Sequence, residues 1–238
     1  MNVKSIVKEI RSQLKARANP EFARQMKNYF KEEIWAYGIR MKDVKKIAKE
    51  YYKKFKATND IQKVFTVAER LLASANIEEG ALALEMLRGF HRLYTPKLFS
   101  LFDHWVNYLT NWVHTDALCC HHIAITLEQD GKLAHKLLKW TKSRNRWRRR
   151  AAAVSLVELA NKGMYLNETL QVAERLMQDK DEMVQKGVGW LLRETSRKYP
   201  DEIAEFLLRW KDKTSRLVLR TAAEKLPPEL RFKVLSKG

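Results

Sequence analysis

Trp112 and Asp116 lie four residues apart, a spacing that sets an indole beside a carboxylate on one face of a helix. The pairing of tryptophan with charge recurs downstream, with Trp147 three residues before Arg150 and Trp190 four residues after Lys186. Asp116 is the one acid of a row whose later members, Arg150, Lys186 and Arg220, are cations. Cations of this kind hold phosphates, and they favour the charged form of a carboxylate among them. An acid so placed repels a polyanion unless it has a task, such as stabilising positive charge in a transition state or orienting a water. An indole face attracts cations and also packs on a sugar or a base. Tryptophans at helical spacing serve a core equally well, and the residues alone admit both readings.

The run TKSRNRWRRR brings Lys142, Arg144, Arg146, Arg148, Arg149 and Arg150 around Trp147. Arginine outnumbers lysine in it, which suits planar, bidentate contact with phosphates. A solvated basic face is the plainer reading of the same run. His114, His121 and His122 accompany Cys119 and Cys120, but no C-x-x-C pair is present and adjacent helical residues diverge, so no metal site is expected. Buried cysteines and partly exposed histidines at a helix contact are the expectation there. The chain has no Walker loop, no dinucleotide fingerprint and no G-x-S-x-G elbow, so no cofactor is expected.

The elements that must position these residues are helices. Val64, Val67, Ala68, Leu71 and Leu72 fall on one stripe, as do Leu166, Leu170, Ala173, Leu176 and Met177. Asn19-Pro20, Thr95-Pro96 and Tyr199-Pro200 put proline where a first helical turn tolerates it. About a dozen helices with short connectors and no convincing strand are expected. The segments GALALEML, DALCCHHI, RAAAVSL, KGVGWLL and RTAAEKL begin at Gly80, Asp116, Arg150, Lys186 and Arg220, in steps of 36, 34, 36 and 34 residues. That period is the length of a two-helix repeat of the HEAT kind, which makes a solenoid with a curved binding surface and puts the five positions in one row.

A chain of 238 residues with 45% hydrophobic and 31% charged residues can bury a core, and a single helical-repeat domain over 1–238 is expected. The net charge of +18, concentrated on a concave face, would attract a polyanion with strongly salt-dependent affinity. Two adjacent cysteines cannot build a disulfide scaffold, and no signal segment or membrane span is apparent, so a cytoplasmic protein is expected.

The stretches RQMKNYF, YGIR, NWVHTDAL, NRWRRRAAAVSL and VQKGVGWLLRETSRKYPDE resemble, in order along the chain, the bacterial DNA alkylation repair glycosylases of the AlkD type. The most specific parts are Trp-x-x-x-Asp at Trp112 and Asp116, the arginine before the alanine run at Arg150, and G-W-L-L-R-E from Gly189 to Glu194. The resemblance implies an all-α stack of HEAT-like helix pairs with a concave basic groove for duplex DNA. It implies that Trp112 and Trp190 flank the deoxyribose of the lesion, that Asp116 is the catalytic carboxylate, and that Arg150 contacts the backbone. Arg146, Trp147, Arg148, Arg149, Lys186, Arg193 and Arg220 complete the expected DNA-binding set. The implied substrates are N3- and N7-alkylated purines, with no metal, no membrane, no obligatory protein partner and a monomer. Some relatives read Trp-Asp-x-x-Asp, where this chain has Val113. The alternative reading is a noncatalytic repeat protein that recognises damaged or branched DNA or RNA; a protein–protein scaffold with incidental charge is a further one.

Overall fold

The computed structural model describes residues 2–58 and 60–236, and these are all-α: sixteen α-helices with short 3-10 and π segments, no sheet, and one isolated bridge between Trp35 and Asn76. No described helix is long and apolar enough to cross a membrane. The chain divides into two compact units, Met1–Tyr94 with Ser100–Leu118, and Thr95–Phe99 with Cys119–Gly238.

The first unit holds α1 (Val3–Lys15), α2 (Pro20–Met26), α3 (Met41–Thr58), α4 (Ile61–Leu72) and α5 (Ile77–Arg88), most of α6 (Leu98–Trp105), and α7 (Trp112–Leu118). Helix α5 is its centre and packs on α3, α4 and α7. It is buried nearly all round, so its first-turn acids must be paired. The carboxylate of Glu78 accepts the backbone N–H groups of Tyr37 (2.8 Å), Gly38 (2.8 Å) and Ile39 (3.0 Å). Glu79 accepts both the Tyr37 hydroxyl at 2.7 Å and the Arg11 guanidinium, whose Nε lies 2.9 Å from Oε2. Two adjacent buried acids thus tie α1 and the 37–39 segment to the helix that carries α7.

The second unit contains α8 (Ala124–Gln129), α9 (Leu137–Trp140), α10 (Arg146–Val154), α11 (Val157–Asn161), α12 (Leu166–Leu176), α13 (Glu182–Thr195), α14 (Pro200–Trp210), α15 (Arg216–Ala222) and α16 (Pro228–Leu235). Helix α13 packs on α10 on one side and on α15 on the other, and α12 packs behind α10 and α13. Close approach to α15 depends on Gly189, where a β-carbon would lie 2.7 Å from that of Thr221.

The 34- to 36-residue period appears as helices α5, α7, α10, α13 and α15, each opened by a capping side chain. Asn76, Asn111, Asn145, Asp181 and Ser215 all accept a backbone N–H from the first turn that follows. Their steps of 35, 34, 36 and 34 residues carry the repeat as clearly as the small-residue segments do. A side-chain cap fixes where a helix begins, so the row position, four residues after Asn76 and five after each of the other caps, is fixed as well.

Candidate functional site

Asp116 and Trp112 are half-buried on α7, one turn apart on the same face. The start of that helix is locked by Asn111, whose Oδ1 accepts the His114 N–H at 2.9 Å and whose Nδ2 lies 3.1 Å from His114 Nδ1. His114 Nε2 is 2.9 Å from the carbonyl oxygen of Ile77, at the first residue of α5. A carbonyl only accepts, so Nε2 carries the proton and Nδ1 accepts from the Asn111 amide. Burial lowers the His114 pKa to about 4, against a smaller opposing contribution from the Ile77 bond, and the ring is neutral at pH 7. The expectation of partly exposed histidines holds for His121 and is corrected for His114 and His122, which are completely buried. One face of Trp112 is taken by Phe30, with ring centroids 5.6 Å apart and 23° between planes. Phe30, in the RQMKNYF stretch, was not singled out as a contact; its signal was no more than its membership of an aromatic-rich segment.

In the second unit the basic run separates into different roles. Trp147 is 5% exposed. It shares a stripe with Ala151 and Val154 at i+4 and i+7, all buried, and this stripe faces the core. Arg146 covers its ring at 4.7 Å and pairs with Asp181 at 3.2 Å. Arg149 is tied into the fold as well. Its Nε and Nη2 hold both oxygens of Asp179, at 2.6 and 3.1 Å, while Nη1 donates to the carbonyls of Ser143 and Arg144. With those donors committed, Arg149 clamps two loops together and has little left for a phosphate.

Arg150 is also 5% exposed, and its Nη1 donates to the Met183 carbonyl at 2.6 Å, so it sits in the seam between α10 and α13 rather than on an open face. Arg148 lies over Trp140 at 5.2 Å, and Trp140 in turn stacks on Phe99. Lys186 is exposed and pairs with Glu182 one turn earlier, at 2.8 Å. Trp190 is half-buried on α13. Arg193 bridges Glu194 at 2.8 Å and Glu224 at 3.2 Å. Burial opposes the charge on Glu194, but hydrogen bonds from Arg193 and Arg197 outweigh it and hold that carboxyl below the usual range. Arg220 is exposed beside Arg216 and Arg231 in a groove at the last helices. Within this unit, then, Lys186 and Arg220 present charge outward, whereas Arg149 and Arg150 are built into the fold.

Cys119 and Cys120 are buried and form no disulfide, and they begin a π-helical turn, Cys119–Ile123. Among the described residues no group of three or more His, Cys, Asp or Glu side chains is placed to hold a metal ion.

Residues 10–226 match the family model described as DNA alkylation repair enzyme. A solved structure described as a predicted DNA alkylation repair enzyme from Enterococcus faecalis has the same fold, with a TM-score of 0.78 at 19% identity, over 89% of this chain and 98% of that one. No curated protein matches.

Proposed function

Because this chain belongs to the family of DNA alkylation repair enzymes, we propose that it is a DNA glycosylase that releases N3- and N7-alkylated purines from duplex DNA. The observation that carries the reading is the lone row acid, Asp116, held one turn from Trp112 on a helix whose start is locked by Asn111 and His114.

Alkylation at N3 or N7 leaves the base cationic. When the C1′–N bond breaks, both electrons go to the base, which departs neutral and needs no proton from an acid. Positive charge stays on the sugar as an oxocarbenium-like species, stabilised by the Asp116 carboxylate and the face of Trp112. Water adds at C1′ and gives up a proton, with Asp116 orienting its attack. Lys186 and Arg220, the outward-facing cations of the row, contact the sugar-phosphate backbone. Arg150, tethered to Met183, contributes through a fixed position and not through reach.

The test is a single-turnover excision assay on methylated duplex DNA without added metal. Wild type is expected to release methylated purines, and Asp116→Asn to lose roughly 10²- to 10³-fold in rate while binding DNA with little change. An Asp116→Asn protein that excises at the wild-type rate removes the carboxylate from the mechanism. A wild type that binds duplex DNA but excises nothing leaves the noncatalytic reading in its place.

A further inference from the structure

The first helix carries a second basic feature, distinct from the row. Lys4, Lys8, Arg11 and Lys15 fall within about 60° of arc on α1 and extend along roughly 16 Å of its axis. With Arg70 of α4 they line a groove of about 620 Å³, and no acid is among its lining residues. The charges of α1 are segregated. Its one acid, Glu9, turns to α3, where it accepts from Tyr51 and Lys54, both at 2.8 Å.

Two further observations set this stripe apart from an ordinary solvated face. Arg11 is pre-positioned by the buried Glu79 carboxylate, so the middle of the stripe does not have to be ordered by a ligand. The apolar side of α1, formed by Ile6, Val7, Ile10 and Leu14, is buried in the unit, so the helix has no free apolar face to lay into a bilayer. What remains is a linear array of cations matched to a linear array of phosphates, which a duplex presents once per ~3.4 Å of axis on each strand.

We propose that the α1 stripe, completed by Arg70, is a second phosphate-binding track for the backbone of duplex DNA. The inference rests on the reading of the chain as a duplex-DNA enzyme, and it adds a sequence-independent anchor on the first unit.

The experiment follows binding of a fluorescein-labelled undamaged duplex by anisotropy across a salt series. It compares wild type, a Lys4→Gln, Lys8→Gln, Lys15→Gln triple variant, and a control with the same charge change on exposed α3 positions, Lys45→Gln, Lys49→Gln, Lys53→Gln. The track variant is expected to bind more than about tenfold more weakly at 0.1 M salt, with a slope of log affinity against log salt reduced by about 2 to 3. The control is expected to keep the wild-type slope. Equal losses in the two variants, or no loss in the track variant, overturn the track and leave the enzyme reading standing. Failure of the wild type to bind duplex DNA overturns both.

Discussion

A β-carbon on Gly80 would lie 2.4 Å from the imidazole of His114, so the contact between α5 and α7 exists because residue 80 has no side chain. The ring cannot swing aside, being completely buried and bonded at both nitrogens. Gly80→Ala is therefore expected to destabilise the protein by about 1–3 kcal/mol through overpacking, read as a lower urea midpoint. Gly187→Ala gives the comparison, because its new methyl would meet the Arg150 Cγ at 3.2 Å, a contact that has to give by only a few tenths of an ångström. A Gly80→Ala protein as stable as Gly187→Ala would show that the clasp is looser than its geometry.

Arg149 and Asp179 separate a structural arginine from a ligand-binding one. Both side chains are largely buried, at 19% and 8% exposure, and the Asp179 carboxylate beside Arg149 holds the guanidinium pKa above its usual value. Removing either partner strands the other, at about 2–4 kcal/mol. Arg149→Ala and Asp179→Ala are both expected to lower the midpoint of chemical unfolding. A phosphate-contacting Arg149 predicts something different: deleting the neighbouring acid would tighten DNA binding without a stability cost, and that result would return Arg149 to the binding set.

The tryptophans are distinguished by the same logic. Trp147→Phe opens a gap in the core and is expected to cost about 1–3 kcal/mol, with no change in single-turnover excision by the folded protein. Trp112→Ala is expected to slow excision by roughly 3- to 30-fold, the scale of one lost cation–π contact. Stability and rate measured side by side on the two variants check the division. A rate defect in Trp147→Phe alone would reverse it.

How much of this was legible in the sequence depends on the range of the interaction. Helical period and the 34- to 36-residue spacing are local patterns, and they yielded the all-α repeat architecture from Gly80, Asp116, Arg150, Lys186 and Arg220. The caps Asn76, Asn111, Asn145, Asp181 and Ser215 are just as local, since capping needs only the next turn, but the small-residue segments rather than the caps carried the repeat in the sequence reading. The basic run was harder. Trp147 lies on the buried 147, 151, 154 stripe, but neighbouring charges hid that stripe behind the appearance of a solvated face. The fate of Arg149 depends on Asp179, thirty residues away, and that of Arg150 on a backbone carbonyl at Met183. No local pattern marks an arginine whose partner lies in the next repeat. The Phe30 stack on Trp112, across 82 positions, was out of reach for the same reason.

His114 gives the protein a calculable response to acid. Burial lowers its pKa to about 4 in the folded state, whereas the ordinary value of 6.5 applies once the chain unfolds. Between those values the unfolded chain binds the extra proton, so stability rises with pH across the window. The contribution is complete above pH 6.5 and is lost as pH falls toward 4, for a total of about 3 kcal/mol. His114→Asn removes the titrating group and is expected to flatten that part of the profile, even if it lowers stability at every pH. Urea unfolding at half-unit steps from pH 4 to pH 7.5 measures the effect as the difference in slope between the two proteins. Parallel profiles would mean that His114 is protonated without cost in the fold, and that the Ile77 carbonyl and Asn111 amide do not hold a neutral ring.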